Sequence, residues 1–246
     1  MSSHTGWGDI DRAWRLCLEA KNKFLKSQGR RPLSRYHAAD CSSLVGEFAG
    51  WTVEEQIAFT KELHSALRRG RGWLNTIAYS IPIESFVERF PEYASDPIGP
   101  CYGEMLKFVM LEMAIQVKDA KKVKRSTKAV LFGLIHERCN YDATLLHAFN
   151  HMLADPTFDG RGMFTTLAPM GWENCLSLQV ADMIAYEAFK DAERLATGRK
   201  RRKSLEALLS TGQFGGRSKT MGPENIQEWR DILDKASGTG PVRGSV

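Results

Sequence analysis

A long apolar run is the first thing this chain of 246 residues lacks. The longest, at 129–135, spans 7 residues and has a glycine inside it. Crossing a bilayer takes roughly 20, so no membrane segment is expected. Residues 1–11 are polar and hold no apolar signal core, so no export signal is read there. Disulfide and zinc patterns are missing as well. The 5 cysteines (Cys17, Cys41, Cys101, Cys139 and Cys175) are scattered, odd in number and without a CxxC pair. They read as reduced thiols in a cytoplasmic protein. There is no GxGxxG after a strand, no GxxxxGK[ST], no GxSxG and no HExxH, which sets aside dinucleotide binding, P-loop chemistry, the serine-hydrolase elbow and zincins. Gly215-Gly216-Arg217-Ser218-Lys219 is only loosely phosphate-friendly. His147 and His151, four apart on one helix face, lack an acidic or cysteine partner for a metal.

What is present describes a globular chain. Hydrophobic residues make up 43% and charged residues 26%, which excludes a disordered, collagen-like or coiled-coil class. The net charge of +5 is uneven: residues 194–246 hold 11 Lys/Arg and 5 Asp/Glu, or +6, which leaves −1 for the first 193. The basic character concentrates in Arg199, Lys200, Arg201, Arg202 and Lys203. Such a run attracts phosphate backbones, or else forms a solvated loop between helices.

The spacing predicts a helix over 9–26 with Ile10, Trp14, Leu16, Cys17, Leu18 and Phe24 as its apolar set, closed by Gly29. Residues 32–39 read as a strand running into a loop at 40–43. Thr52 with Glu55 three residues on makes a capping box for a helix over 53–69. Strands are expected at 73–82, 129–136 and 164–167, the second buried on both faces. Helices are expected at 85–90, 102–118, 142–153, 175–195 (the longest), 204–209 and 223–235. Basic residues fill a turn at 121–128, and a Gly-rich loop covers 212–222. Strands alternating with helices favour an α/β layer structure. The division expected is an α/β domain at 1–196 followed by a basic helical extension and tail at 197–246.

Two carboxylates stand out. Asp182 lies in a mostly apolar helical stretch, Leu178 to Tyr186, where a charge must be paired, hydrogen-bonded or bound to a cation. Gln179 and Tyr186, one turn to either side, form a polar line with it. The plainer alternative is a structural network in which Asp182 accepts bonds from a strand or an arginine. Glu137 follows the expected strand at 129–136, beside His136, at a strand end that either meets a crevice or simply reaches water. Together they point to a Mg²⁺ or Mn²⁺ site, since such cations take oxygen ligands from one or two carboxylates plus substrate phosphates.

The segment Leu176-Ser177-Leu178-Gln179-Val180-Ala181-Asp182-Met183-Ile184-Ala185-Tyr186-Glu187 resembles the C-terminal signature of a bacterial family, domain-of-unknown-function family 3800, whose members have a ribonuclease-H-like fold. Arg35 to Asp40, Trp73 to Ser80 and Leu134-Ile135-His136-Glu137 resemble its other stretches in matching order, over roughly residues 10–195. The resemblance implies a ribonuclease-H-like mixed sheet flanked by helices. It also implies a metal-dependent nuclease with Asp182 and Glu137 as ligands, and with His37 or Asp40 completing the shell or handling a proton. Gln179 would orient Asp182 from the next layer out, together with His136 and Tyr186, and the run from Arg199 to Lys203 would hold nucleic acid. The family's opening Asp-Glu-Ser-Gly strand has no counterpart here, and His136 stands where many relatives show Asp. The alternative expectation is therefore an inactive module that binds nucleic acid or protein. An uncovered sheet edge would then receive a partner or a second copy of the chain. An unrelated small-molecule enzyme on an α/β scaffold is the third reading.

Overall fold

A computed structural model of the chain describes residues 4–69, 74–124, 129–209 and 214–237. It divides into two compact units. The first comprises Met1–Ala78, Ile135–Arg138 and Pro169–Arg217; the second comprises Tyr79–Leu134, Cys139–Ala168 and Ser218–Val246. The elements run α1 (His4–Ser27), α2 (Ala38–Ser43), α3 (Val53–Arg69), β1 (Leu74–Ser80), α4 (Ile83–Arg89), α5 (Ile98–Lys124), β2 (Phe132–Glu137), α6 (Asp142–Ala154), β3 (Phe164–Met170), α7 (Ser177–Ala196), α8 (Lys203–Leu209), β4 (Phe214–Thr220) and α9 (Pro223–Ser237). The class is α/β, as the alternation implied. Among the described residues no helix is long and apolar enough to cross a membrane.

The core of the first unit is built on α1, which sends Ile10, Trp14, Leu18 and Leu25 inward at spacings close to whole helical turns. Phe59, Leu63 and Leu67 of α3 and Val180 and Met183 of α7 join them. Trp14, Tyr36, Phe48, Trp51 and Phe59 form an aromatic cluster with ring centroids 5.0 to 6.5 Å apart. Each such side chain removed from water contributes about 1.5–3 kcal/mol. Gly29, at φ +68, ends α1, and Arg30 N–H donates to the Leu25 carbonyl at 2.9 Å. The capping box holds in both directions: Glu55 N–H donates to Thr52 Oγ1 and Thr52 N–H to Glu55 Oε2. The second unit has its own cluster of Phe86, Phe90, Cys101, Met221 and Ile226, with Phe108 and Trp229 packed against it. Pro223 opens α9, as its fixed φ favours.

Several expectations change. Among the described residues the strands do not form one mixed sheet; they pair in twos, β1 with β4 and β2 with β3. Both pairs are parallel: Met221 N–H donates to the Ser80 carbonyl just past the ends of β4 and β1, and Arg138 N–H to the Met170 carbonyl just past the ends of β2 and β3. The Gly-rich stretch expected as a loop contains β4, and α7, at 20 residues, is shorter than α1 and α5, at 24 and 27. α5 continues to Lys124 through the start of the expected basic turn, whose remainder, 125–128, lies outside the described residues together with the C-terminal tail from 238. β2 alternates half-buried with exposed positions and leaves Ile135 51% exposed, so it is buried on one face only.

The expected strand at 32–39 is absent because side chains, not a neighbouring strand, satisfy its backbone. Asn22 exchanges two bonds with Leu33, Glu47 accepts from Ser34 N–H, Gln179 from Tyr36 N–H and Asp182 from Ala38 N–H. With its donors and acceptors occupied this way, the segment has no ladder to join.

Candidate functional site

The site lies in the first unit, where α7 meets the chain just before α2. Ser177 Oγ, in the first turn of α7, donates to Asp11 Oδ1 at 3.0 Å and ties α7 to α1. Two residues on, Gln179 is 2% exposed. Its Oε1 accepts from Trp14 Nε1–H at 3.1 Å and from Tyr36 N–H at 2.9 Å. Both neighbours are donors, so the amide can be oriented in one way only. The consequence is that Gln179 Nε2 is buried without a hydrogen-bond partner, at a cost of about 1–3 kcal/mol.

Asp182 follows, half-buried, its Oδ2 accepting from Ala38 N–H at 2.8 Å. The carboxylate thus caps the start of α2, where the helix presents otherwise unmet N–H groups and a partial positive charge. This local bond, and not Gln179, orients Asp182, which corrects the role expected for Gln179. Tyr36 lies beside both elements, and its phenol is pushed well above the ordinary value of 10, first by burial and then by the nearby charges of Cys41, Glu187 and Asp182.

Glu137, at the end of β2, is half-exposed and pairs with Arg35, Nη1 to Oε1 at 3.3 Å. The Arg35 guanidinium lies over the ring of Trp172 at 5.1 Å. Arg35, His37, Glu137, Trp172, Gln179 and Asp182 line one cleft of about 10 Å³, room for about one oxygen atom. The structure therefore brings Asp182, Glu137 and His37 to a common opening. Asp40 is not part of its lining. Its carboxylate turns to His37 Nδ1, 3.0 Å away, and toward Gly46, where an added Cβ would come within 3.0 Å of Asp40 Oδ2. Gly46 has φ +58, which also favours glycine at this turn. No three of Asp182, Glu137, His37 and Asp40 bring ligand atoms within 4.8 Å of one another. His136 is half-buried, its Nδ1 3.0 Å from the Glu137 carbonyl oxygen. Tyr186 is half-buried beneath the Arg202 guanidinium, at 5.6 Å.

Two carboxylates missed in the sequence lie on the buried face of α7. Glu187 and Asp191 are 6% and 3% exposed. They follow Val180 and Met183 at spacings of 3 and 4, the signal that places all four on one face. The basic run supplies their partners. Arg201 Nε lies 3.0 Å from Asp191 Oδ2, and Arg202 Nε lies 3.1 Å from Glu187 Oε2. Arg202 N–H and Ser204 Oγ add bonds to Asp191 and Glu187. Gly198, at φ +68, turns the chain back, and Arg194 Nε donates to the Lys200 carbonyl. Of the run, Arg199, Lys200 and Lys203 face solvent together with the outer part of Arg201, while Arg202 is held inward. His147 and His151, in the second unit, are exposed with their rings 6.5 Å apart. Gly215 to Lys219 lie within β4. Comparison with models of protein families, with curated proteins and with solved structures finds no match.

Proposed function

We propose that the first unit carries a divalent-cation-dependent phosphodiesterase site acting on nucleic acid. Its carrying observation is that Asp182 on α7 and Glu137 at the end of β2 line one cleft with His37. The ribonuclease-H-like reading of the fold belongs to the same proposal and rests on the resemblance of the segment from Leu176 to Glu187.

Two carboxylates are what Mg²⁺ or Mn²⁺ takes from a protein when waters and phosphate oxygens complete the shell. Asp182 and Glu137, which line the same cleft, are oxygen donors of that kind. Asp182 has one oxygen on Ala38 N–H, which fixes the carboxylate and leaves the other for a ligand. When bound, such a cation serves as a Lewis acid toward a phosphoryl oxygen. Asp182 and Glu137 would hold it. His37, whose Nδ1 lies 3.0 Å from Asp40 Oδ2 without the geometry of a hydrogen bond, supplies an imidazole that can hold or move a proton. Arg199, Lys200 and Lys203 supply positive charge beyond the end of α7, suited to a phosphate backbone.

A second reading, a non-cutting module that binds nucleic acid or a protein partner, is favoured by the Arg35–Glu137 pair, which occupies one proposed ligand. Each described strand also has one neighbour only and so presents a second edge. A nuclease assay on single- and double-stranded substrates with Mn²⁺ separates the two. The enzyme reading predicts metal-dependent cleavage that is lost in Asp182→Asn and Glu137→Gln. Cleavage unaffected by either substitution, or none by the unaltered protein, would reject it.

A further inference from the structure

We propose that Gln179 and Arg35 form a seat for one oxygen of a phosphodiester. The chemical class of the ligand rests on the nuclease reading above, whereas the seat itself needs no metal.

The seat begins with a donor that has nowhere else to go. Trp14 Nε1–H and Tyr36 N–H fix the oxygen end of Gln179. Its amide nitrogen is left buried and unpartnered in a residue that lines the cleft. A buried N–H₂ group calls for an acceptor. A cation does not meet that need, because N–H hydrogens would point at it. The cavity of about 10 Å³ admits about one oxygen atom.

A second donor group stands at the same opening. The Arg35 guanidinium lies over the Trp172 ring, 5.1 Å from its centroid, and its Glu137 partner engages one nitrogen, Nη1. The fork has further N–H groups, and planar, two-pronged donation is how arginine recognises phosphate. An amide and a guanidinium from two residues that line a space of about one oxygen suit an acceptor-only atom on an anion.

Charge decides when the anion enters. Glu137 and Asp182 border the cleft and repel it; Arg35 alone does not outweigh both. A cation held by the two carboxylates reverses that balance. Replacing Glu137 by glutamine lowers the repulsion and releases Arg35 without any metal.

The test follows from that difference. Inorganic phosphate and the dinucleotide dithymidine phosphate are titrated by calorimetry, in EDTA, into Glu137→Gln protein. Saturable binding of both is expected. Adding Gln179→Glu keeps an oxygen for Trp14 and Tyr36 but removes the N–H donors, and it should weaken binding at least tenfold. Adding Arg35→Gln instead should do the same, and this partly exposed position keeps the test valid where the Gln179 variant fails to fold. The unaltered protein in EDTA should bind more weakly than Glu137→Gln. No saturable binding by Glu137→Gln, or equal affinity after both added substitutions, would overturn the proposal. Inorganic phosphate binding without the dinucleotide would overturn the phosphodiester assignment. Failure of the metal reading alone leaves a different signature: phosphate binding in EDTA persists, while Mn²⁺ affinity is the same with and without Asp182.

Discussion

Gln179 shows how much one side chain organises here. It joins α1, through Trp14, to the segment before α2, through Tyr36. The polar line of Gln179, Asp182 and Tyr186 was legible from spacing alone. The bonds each makes were not, because they depend on backbone groups at 36 and 38 that the sequence read as a strand. The five cysteines are free thiols, Cys41 and Cys101 buried and Cys17, Cys139 and Cys175 half-buried. Burial pushes Cys41 up to about 11, and burial together with the Glu104 charge pushes Cys101 up to about 11. At pH 8 such a thiol is thiolate in about one molecule per thousand. Iodoacetamide at pH 8, followed by peptide mass spectrometry, should therefore modify the half-buried Cys139 well before Cys41 or Cys101. Equal rates at Cys41 and Cys139 would contradict the burial described.

At the scale of elements, the capping box of α3 was read correctly because its signal is local: a threonine, a glutamate and the spacing between them. Thr52→Ala should cost about 1 kcal/mol in urea unfolding. Glu55 is held below its ordinary 4.5, chiefly by the hydrogen bond from Arg30 and then by that from Thr52. A lowered carboxyl stabilises the folded state above pH 4.5, and the contribution fades as pH falls through the lowered value. Glu55→Gln should thus lose stability at pH 7 and show a flatter acid limb than the unaltered protein. An unchanged acid limb would count against the Arg30 pairing.

The end of α7 was less legible. A basic run reads as a ligand surface, yet Arg201 and Arg202 fold back onto Asp191 and Glu187. The carboxylates that attract them lie 10 and 15 residues earlier, on a face recognisable only once its apolar members are known to be buried. Removing one partner of a buried pair leaves a charge in a poor solvent. Arg202→Gln should destabilise by about 2 kcal/mol, reduced from the fully buried case because Arg202 is partly exposed. Lys200→Gln, at the surface, should stay within about 0.5 kcal/mol. Equal midpoints in urea for the two variants would remove the clamp.

For the whole molecule, alternation of strands and helices announced the α/β class, and most helices fell near their expected bounds. Strand pairing was not readable, because register and neighbours are set by contacts distant in sequence. The short apolar run at 129–135 illustrates this: with β3 as its one described neighbour, β2 buries one face and exposes Gly133, Ile135 and Glu137 on the other. That exposed register puts Glu137 where Arg35 and the α7 cleft can reach it. The site thus assembles from three stretches far apart in the chain, 35–37, 137 and 172–182, of which the last carries the clearest sequence signature.

On the proposed reading, Asp182 and Glu137, from separate elements, hold one divalent cation. Calorimetric titration of Mn²⁺ into the unaltered chain and into Asp182→Asn, with circular dichroism confirming that both are folded, tests it most directly. Saturable binding to the unaltered protein and at least tenfold weaker binding to the variant are expected. The same Mn²⁺ affinity in both, or no saturable binding to either, would contradict it.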